Sequence, residues 1–114
     1  MNIRREVLEA RHVESVEKYY GPTLIQHNPT FGNGVEAMKQ AIARGGPPRD
    51  IRPTVQGPIT ALVADGDFVV IVYPHELTDP KDPSKKYTTA GFDMYRIQNG
   101  KVVEHWDAAM KPAN

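Results

Sequence analysis

Beyond Pro53 the apolar residues recur at every second position, and turn-forming breaks divide this stretch into paired strands. Residues 54–64 and 68–77 read as strands joined through Ala64-Asp65-Gly66-Asp67, where Asp-Gly is a strong hairpin turn. Residues 78–86, carrying Asp79-Pro80-Lys81-Asp82-Pro83-Ser84, form a polar turn between long strands. Residues 87–97 and 101–110 complete the meander across Asn99-Gly100. Four consecutive antiparallel strands leave roughly the first half of the chain to cover them.

That first half has a helical period. Residues 3–11 place Ile3, Val7 and Leu8 on one stripe, and residues 13–20 do the same with Val13, Val16 and Tyr20. Gly21-Pro22 reads as the stop of the second helix. Leu24-Ile25-Gln26-His27-Asn28 is a short strand closed by Pro29. A third helix over 35–44 carries Met38, Ala41 and Ile42 and is capped by Gly45-Gly46; a loop follows over 47–53. Helices first and a meander afterwards predict an α+β fold with helices on one face of a curved sheet.

At 114 residues this is one domain, spanning 1–114. Fourteen basic and fourteen acidic residues balance, and no basic stripe stands out, so nucleic acid is not an expected partner. The absence of cysteine excludes disulfides, thiolate metal sites and thiol nucleophiles. No apolar run approaches the ~20 residues of a membrane helix, and the N-terminus lacks the apolar stretch of a secretion signal. No membrane partner and a cytoplasmic location are therefore expected. Zero net charge also removes a barrier to self-association.

Chemistry concentrates in the last hairpin, where Asp93, Tyr95, His105 and Asp107 lie on two arms. Their meeting depends on the turn. A two-residue type I′ turn at Asn99-Gly100 sets Gln98 opposite Lys101 and Asp93 opposite Trp106, which separates Asp93 and Tyr95 from His105 and Asp107. A three-residue loop with Gly100 as a left-handed bulge sets Ile97 opposite Lys101, Tyr95 opposite Val103 and Asp93 opposite His105. It gathers all four on one face and leaves Phe92, Met94, Arg96, Val102, Glu104 and Trp106 on the other. The residues alone leave both registers open.

Ile25-Gln26-His27-Asn28-Pro29 together with Asp93-x-x-Arg96-Ile97-x-x-Gly100-Lys101-Val102-Val103-Glu104-His105-Trp106-Asp107 resembles the SnoaL-like polyketide cyclase family, over about 16–110. That family belongs to the nuclear-transport-factor-2-like superfamily. The resemblance implies a cone-shaped α+β domain, with N-terminal helices packed on a curved, four- to five-stranded, mostly antiparallel sheet. It favours the bulged register. It also implies that an acid at or near the Trp106-Asp107 position shuttles protons, with a partner one strand earlier at the Asp93 position that is a histidine in some members and an aspartate here. The superfamily holds aldol cyclases, isomerases, epoxide hydrolases, dehydratases and non-catalytic proteins, so fold alone does not name a reaction.

Each candidate has a plainer reading beside the functional one. Asp93 and Asp107 are catalytic if they face inward and ordinary if they face out. Two carboxylates sharing a dry site cannot both ionise freely, which places an acid beside a base and suits enolisation and aldol chemistry. His105 is an oriented base or a half-buried histidine bonded to one neighbour. His27, Asn28, Tyr95, Tyr73, His75 and Trp106 are candidates for substrate contact; Asn28 before Pro29 also suits a simple turn, and Trp106 also suits packing or an interface. Histidine spacing matches no metal motif, so no metal and no cofactor are expected. Two function classes stand: a cofactor-independent acid/base enzyme on a small apolar carbonyl compound, and a non-catalytic ligand-binding or dimerisation domain that pairs through its outer sheet face as a homodimer.

Overall fold

A computed structural model describes residues 2–109. The N-terminal segment Arg4–Glu9 is a π-helix, its wide turn closed by the Ala10 N–H donating to the Arg5 carbonyl at 3.0 Å. A 3₁₀ turn at Val13–Ser15 leads into helix α1, Val16–Tyr19. Strand β1 covers Tyr20–Gln26 and helix α2 covers Val35–Arg44, the span read from the sequence. The meander is β2, Ala61–Asp65; β3, Phe68–Thr78; β4, Lys86–Gln98; and β5, Lys101–Asp107. Met110, the expected end of the last strand, lies outside the described residues.

The five strands form one sheet in the order β1-β5-β4-β3-β2, antiparallel throughout except that β1 runs parallel to β5. Two expectations change here. Gly21-Pro22 does not stop a helix; both residues lie inside β1. Proline lacks an N–H and is tolerated at a sheet edge, which is where β1 runs. The β1–β5 register slips between Tyr20 and Ile25, so residues 21–24 absorb the irregularity. A Cβ on Gly21 would lie 3.1 Å from the Val103 side chain, so the two strands approach closely there.

The second change concerns residues 54–60, which do not pair as a strand. The Gln56 and Gly57 N–H groups donate to the Glu9 carboxylate at 2.9–3.1 Å, so their hydrogen bonds go to the N-terminal segment and not to β3. Pro58 has no N–H to give, and regular pairing begins only at Ala61 opposite Val72.

The helical layer and the inner sheet face enclose a core of Val7, Val16, Tyr20, Leu24, Met38, Ile71, Tyr95 and Val102. Leu24, Val7 and Val16 are fully shielded, each contributing ~1.5–3 kcal/mol by burial. Among the described residues the outer sheet face carries no helix, and Val63, Phe68 and Phe92 are 39–55% exposed on it. No helix among the described residues is long and apolar enough to cross a membrane.

Candidate active site

The turn at Asn99-Gly100 is the two-residue form: Gln98 pairs with Lys101 and Ile97 with Val102, and the left-handed φ of 53° and 76° at the two turn residues suits it. Had the ladder continued evenly, Asp93 would face Trp106. Instead the register shifts by one between Ile97 and Arg96, so that Val103 is an extra residue on β5. Beyond it Arg96 pairs with Glu104, Tyr95 with His105, Met94 with Trp106 and Asp93 with Asp107. The inward set expected from a three-residue loop is thus produced by a different device. Its pairings differ as well: Tyr95 faces His105 rather than Val103, and Asp93 faces Asp107 rather than His105. Val102, expected on the outer face, is inward and 4% exposed, because it precedes the bulge.

Two aspartates directly opposite across a ladder repel, so the pair needs donors. His105 Nε2 lies 2.8 Å from Asp93 Oδ1 and 3.9 Å from Asp107 Oδ2. The Asn28 amide donates to Asp107 Oδ2 at 2.7 Å, and the Ala109 N–H donates to Asp107 Oδ1 at 3.0 Å. The other ring nitrogen, His105 Nδ1, lies 2.7 Å from Gln26 Oε1. An amide oxygen only accepts, so Nδ1 donates; an ionised carboxylate also only accepts, so the Nε2–Asp93 bond contains a proton of its own. His105 is therefore fixed in orientation and shares one proton with Asp93. Asp93 is 9% exposed, His105 7% and Asn28 6%.

A cavity of about 310 Å³ opens onto this cluster, lined on its apolar side by Leu8, Phe31 and Met38 and on its polar side by Tyr73, Asp93, His105 and Asp107. Tyr95 stacks beneath His105 with ring centroids 5.0 Å apart. Tyr73 lies across Gly91, where a Cβ would come within 2.2 Å of the ring, so the glycine makes room for the phenol. Burial and the neighbouring Asp93 carboxylate push the Tyr73 phenol up to about 12. Burial holds Tyr95 well above the ordinary phenol value. Both remain proton donors at any physiological pH. Asp93, His105 and Asp107 also offer three ligand atoms within 4.8 Å of one another, a spacing that could hold a divalent cation in place of the shared proton. A site assembled across strands leaves no trace in linear motif spacing.

The remaining candidates lie elsewhere. His27 points out, its Nε2 donating to Glu104 Oε2 at 2.7 Å, and it stacks on Trp106 at 4.7 Å with the planes 4° apart. Glu104 also accepts from Arg96 Nε at 2.8 Å, the outer ion pair read from the sequence. These two bonds hold the Glu104 carboxyl below its usual range. His27 and Trp106 are thus on the face opposite the cavity, because alternation from the buried Leu24 sends Gln26 and Asn28 inward and His27 outward. His75 is exposed farther along β3, its ring 6.3 Å from that of Tyr73, and does not line the cavity. Asn28 serves both of its readings: its Oδ1 accepts from the Thr30 N–H and hydroxyl at 2.8 and 2.6 Å, a turn, while its amide holds Asp107. Sequence reasoning passed over Gln26, which the same alternation would have found. It also passed over Arg4 and Glu9, which share the Leu8 side of the N-terminal segment.

Helices on the concave face of a mostly antiparallel five-stranded sheet, with polar groups converging inside, define the nuclear-transport-factor-2-like cone. A SnoaL-like domain model matches residues 4–105, nearly the whole chain, and the protein belongs to that SnoaL-like family. Among solved structures, a candidate polyketide cyclase from Acidithiobacillus ferrooxidans superposes with a TM-score of 0.64 at 22% identity, covering 94% of this chain and 82% of that one. IdmH, a candidate polyketide cyclase from Streptomyces antibioticus, gives 0.62 at 16% identity over 92% of this chain and 85% of its own. TerC, co-crystallised with polyporic acid, gives 0.59 at 17% identity over 90% and 82%. At such identities the likeness is one of fold. No curated protein matches the sequence significantly.

Proposed function

We propose that this chain, a single cone over residues 1–114, is a cofactor-independent acid/base enzyme on a small, largely apolar carbonyl compound, performing aldol cyclisation, isomerisation or a related proton transfer. The observation that carries the reading is His105, oriented by Gln26 and set between Asp93 and Asp107 at the floor of a cavity. Asp107 takes a proton from the carbon beside the carbonyl; the C–H electrons move onto oxygen. The Tyr73 phenol, kept protonated by its surroundings, donates a hydrogen bond to that oxygen. In an isomerisation the proton shared by His105 and Asp93 goes to another carbon as the electrons return from oxygen. In an aldol cyclisation the enolate carbon bonds to a second carbonyl carbon, whose oxygen takes that proton. The proton on Asp107 then passes to the His105–Asp93 pair and restores the starting state. The polyketide cyclase names of the structural neighbours and the polyporic acid co-crystallised with TerC are in keeping with a small-molecule substrate.

Deuterium incorporation at the α-carbon of β-tetralone in heavy water, followed by NMR, tests this. The reading predicts exchange that depends on the protein and falls to background in Asp107→Asn. Binding of the ketone with no exchange by the wild type would instead support a non-catalytic ligand-binding domain. We further propose that the protein is a cytoplasmic homodimer paired through the outer sheet face, where Val63, Phe68 and Phe92 are exposed in one apolar surface. Light scattering should report a dimer that Phe92→Asp dissociates; a monomer at high concentration would count against it.

A further inference from the structure

The cavity is lined by five charged or titratable groups besides its phenols: Arg4, Glu9, Asp93, His105 and Asp107. Four of them are answered within the protein. Glu9 accepts from two backbone N–H groups, Asp93 and His105 bond each other, and Asp107 accepts from Asn28 and Ala109. Arg4 is not. Its guanidinium carbon lies over the Tyr73 ring, 4.6 Å from the centroid, a contact that takes up none of its N–H donors. Its Nε is shut off from solvent without a hydrogen-bond partner, and no other such side-chain nitrogen or oxygen is found among the described residues. No carboxylate among them lies within 4.0 Å of Arg4.

A guanidinium Nε shut off from solvent without an acceptor is costly, and one at a ligand cavity calls for an explanation in the ligand. The local backbone supports this. The π-helical turn of Arg4–Glu9 brings Glu9 to the side of Arg4 and Leu8, where an α-helical turn would keep the last two together and turn Glu9 away. Planar guanidinium geometry suits a two-oxygen acceptor.

We propose that Arg4 is a ligand-binding residue and that the ligand of this cavity carries an anionic oxygen group, a carboxylate or an ionised enol, on a small apolar body. This rests on the cavity being the ligand site, and it narrows the carbonyl class above to compounds that enter, or are held, as anions. The oxyanion lies against Arg4 and Tyr73, and the apolar body against Leu8, Phe31 and Met38, with the reacting carbon toward Asp107. The cavity volume, about 310 Å³, is at the lower end for ligand sites and suits one ring with a short side chain.

Titration calorimetry with trans-cinnamate, its neutral analogue trans-cinnamamide, and the dimedone enolate tests the proposal on the folded full-length chain. Cinnamate or dimedone should bind about ten- to a hundredfold tighter than the amide, the range of a charge-assisted contact. Arg4→Met, which keeps an apolar stem in place, should erase that preference by weakening the anion far more than the amide. Arg4→Lys, which keeps the charge and loses the planar fork, should retain part of it. Dependence on Arg4 with either anion supports the proposal, and the anion that shows it identifies the form recognised. Equal affinity for anion and amide in the wild type, or a preference that survives Arg4→Met, overturns it. Asp107→Asn should keep the Arg4-dependent preference although it abolishes α-carbon exchange, so that loss of the anion preference and loss of the proton-transfer function are read separately.

Discussion

On the inner face of the β4–β5 hairpin, His105 sits between Asp93 and Asp107; on the outer face, His27 and Arg96 share Glu104. Both clusters combine a histidine with carboxylates at 2.7–2.8 Å. The outer one has enough cations to answer its acid, and His27 is 41% exposed by side chain, so water screens what remains. The inner one has two acids facing one imidazole, little water, and a cavity above it. Surplus acid in a sheltered place is a means of moving protons; balanced charge in an open place is ordinary surface structure. The same residue types on adjacent positions diverge only through the face they occupy.

The largest expected difference is in activity. Asp107→Asn or Asp93→Asn should lower α-carbon exchange by about 10²–10⁴-fold with the fold retained, as loss of a general acid or base does. Glu104→Gln and His27→Ala should leave the rate within about twofold. Equal losses on both faces would erase the contrast between them.

Gly91→Ala should come next. Its Cβ would lie 2.2 Å from the Tyr73 ring, and the overpacking should cost about 1–3 kcal/mol, measurable by urea denaturation. The displaced phenol should also slow exchange, whereas Phe92→Ala, one position along on the outer face, should not.

Smaller effects should appear with pH, and in opposite directions for the two faces. The Tyr73 and Tyr95 phenols are raised in the folded state, so their contribution to stability is complete below the ordinary phenol value of ~10 and is lost as pH rises toward about 12 and beyond. Tyr73→Phe should flatten that alkaline limb. Glu104 is lowered, so its contribution is complete above the ordinary carboxylate range and is lost as pH falls through the folded value. Glu104→Gln should flatten the acid limb, and Trp106 fluorescence should follow the release of His27 from its stack.

Much of the architecture was legible because it rests on local chemistry. Helix α2 kept its expected span, 35–44, since its apolar period and flanking glycines agree. The meander followed from alternation and from the Asp-Gly and Asn-Gly turns. What escaped was set by distant partners. Gly21-Pro22 has the form of a helix stop, yet the open edge beside β5 draws it into a strand. Residues 54–60 alternate like a strand, but Glu9, far away in sequence, takes the N–H groups of Gln56 and Gly57. The inner set of the last hairpin was expected through a three-residue loop and arises through a bulge at Val103. Turn chemistry cannot announce a slip that occurs beyond the turn. His27 looked more functional than Gln26 because an imidazole is the more reactive group. Alternation from Leu24 decides otherwise, placing the plain amide where it orients His105. Arg4 gave a weaker signal, a cation on the same stripe as Val7 and Leu8.

The most direct test of the inner-face proton arrangement is ¹⁵N NMR of the imidazole rings in the protein without ligand. His105 Nδ1 should carry a proton, sheltered from exchange with water and lost from that state in Gln26→Leu, while the ring protons of His27 exchange freely. A His105 Nδ1 without a proton, or one exchanging as fast as those of His27, would contradict it.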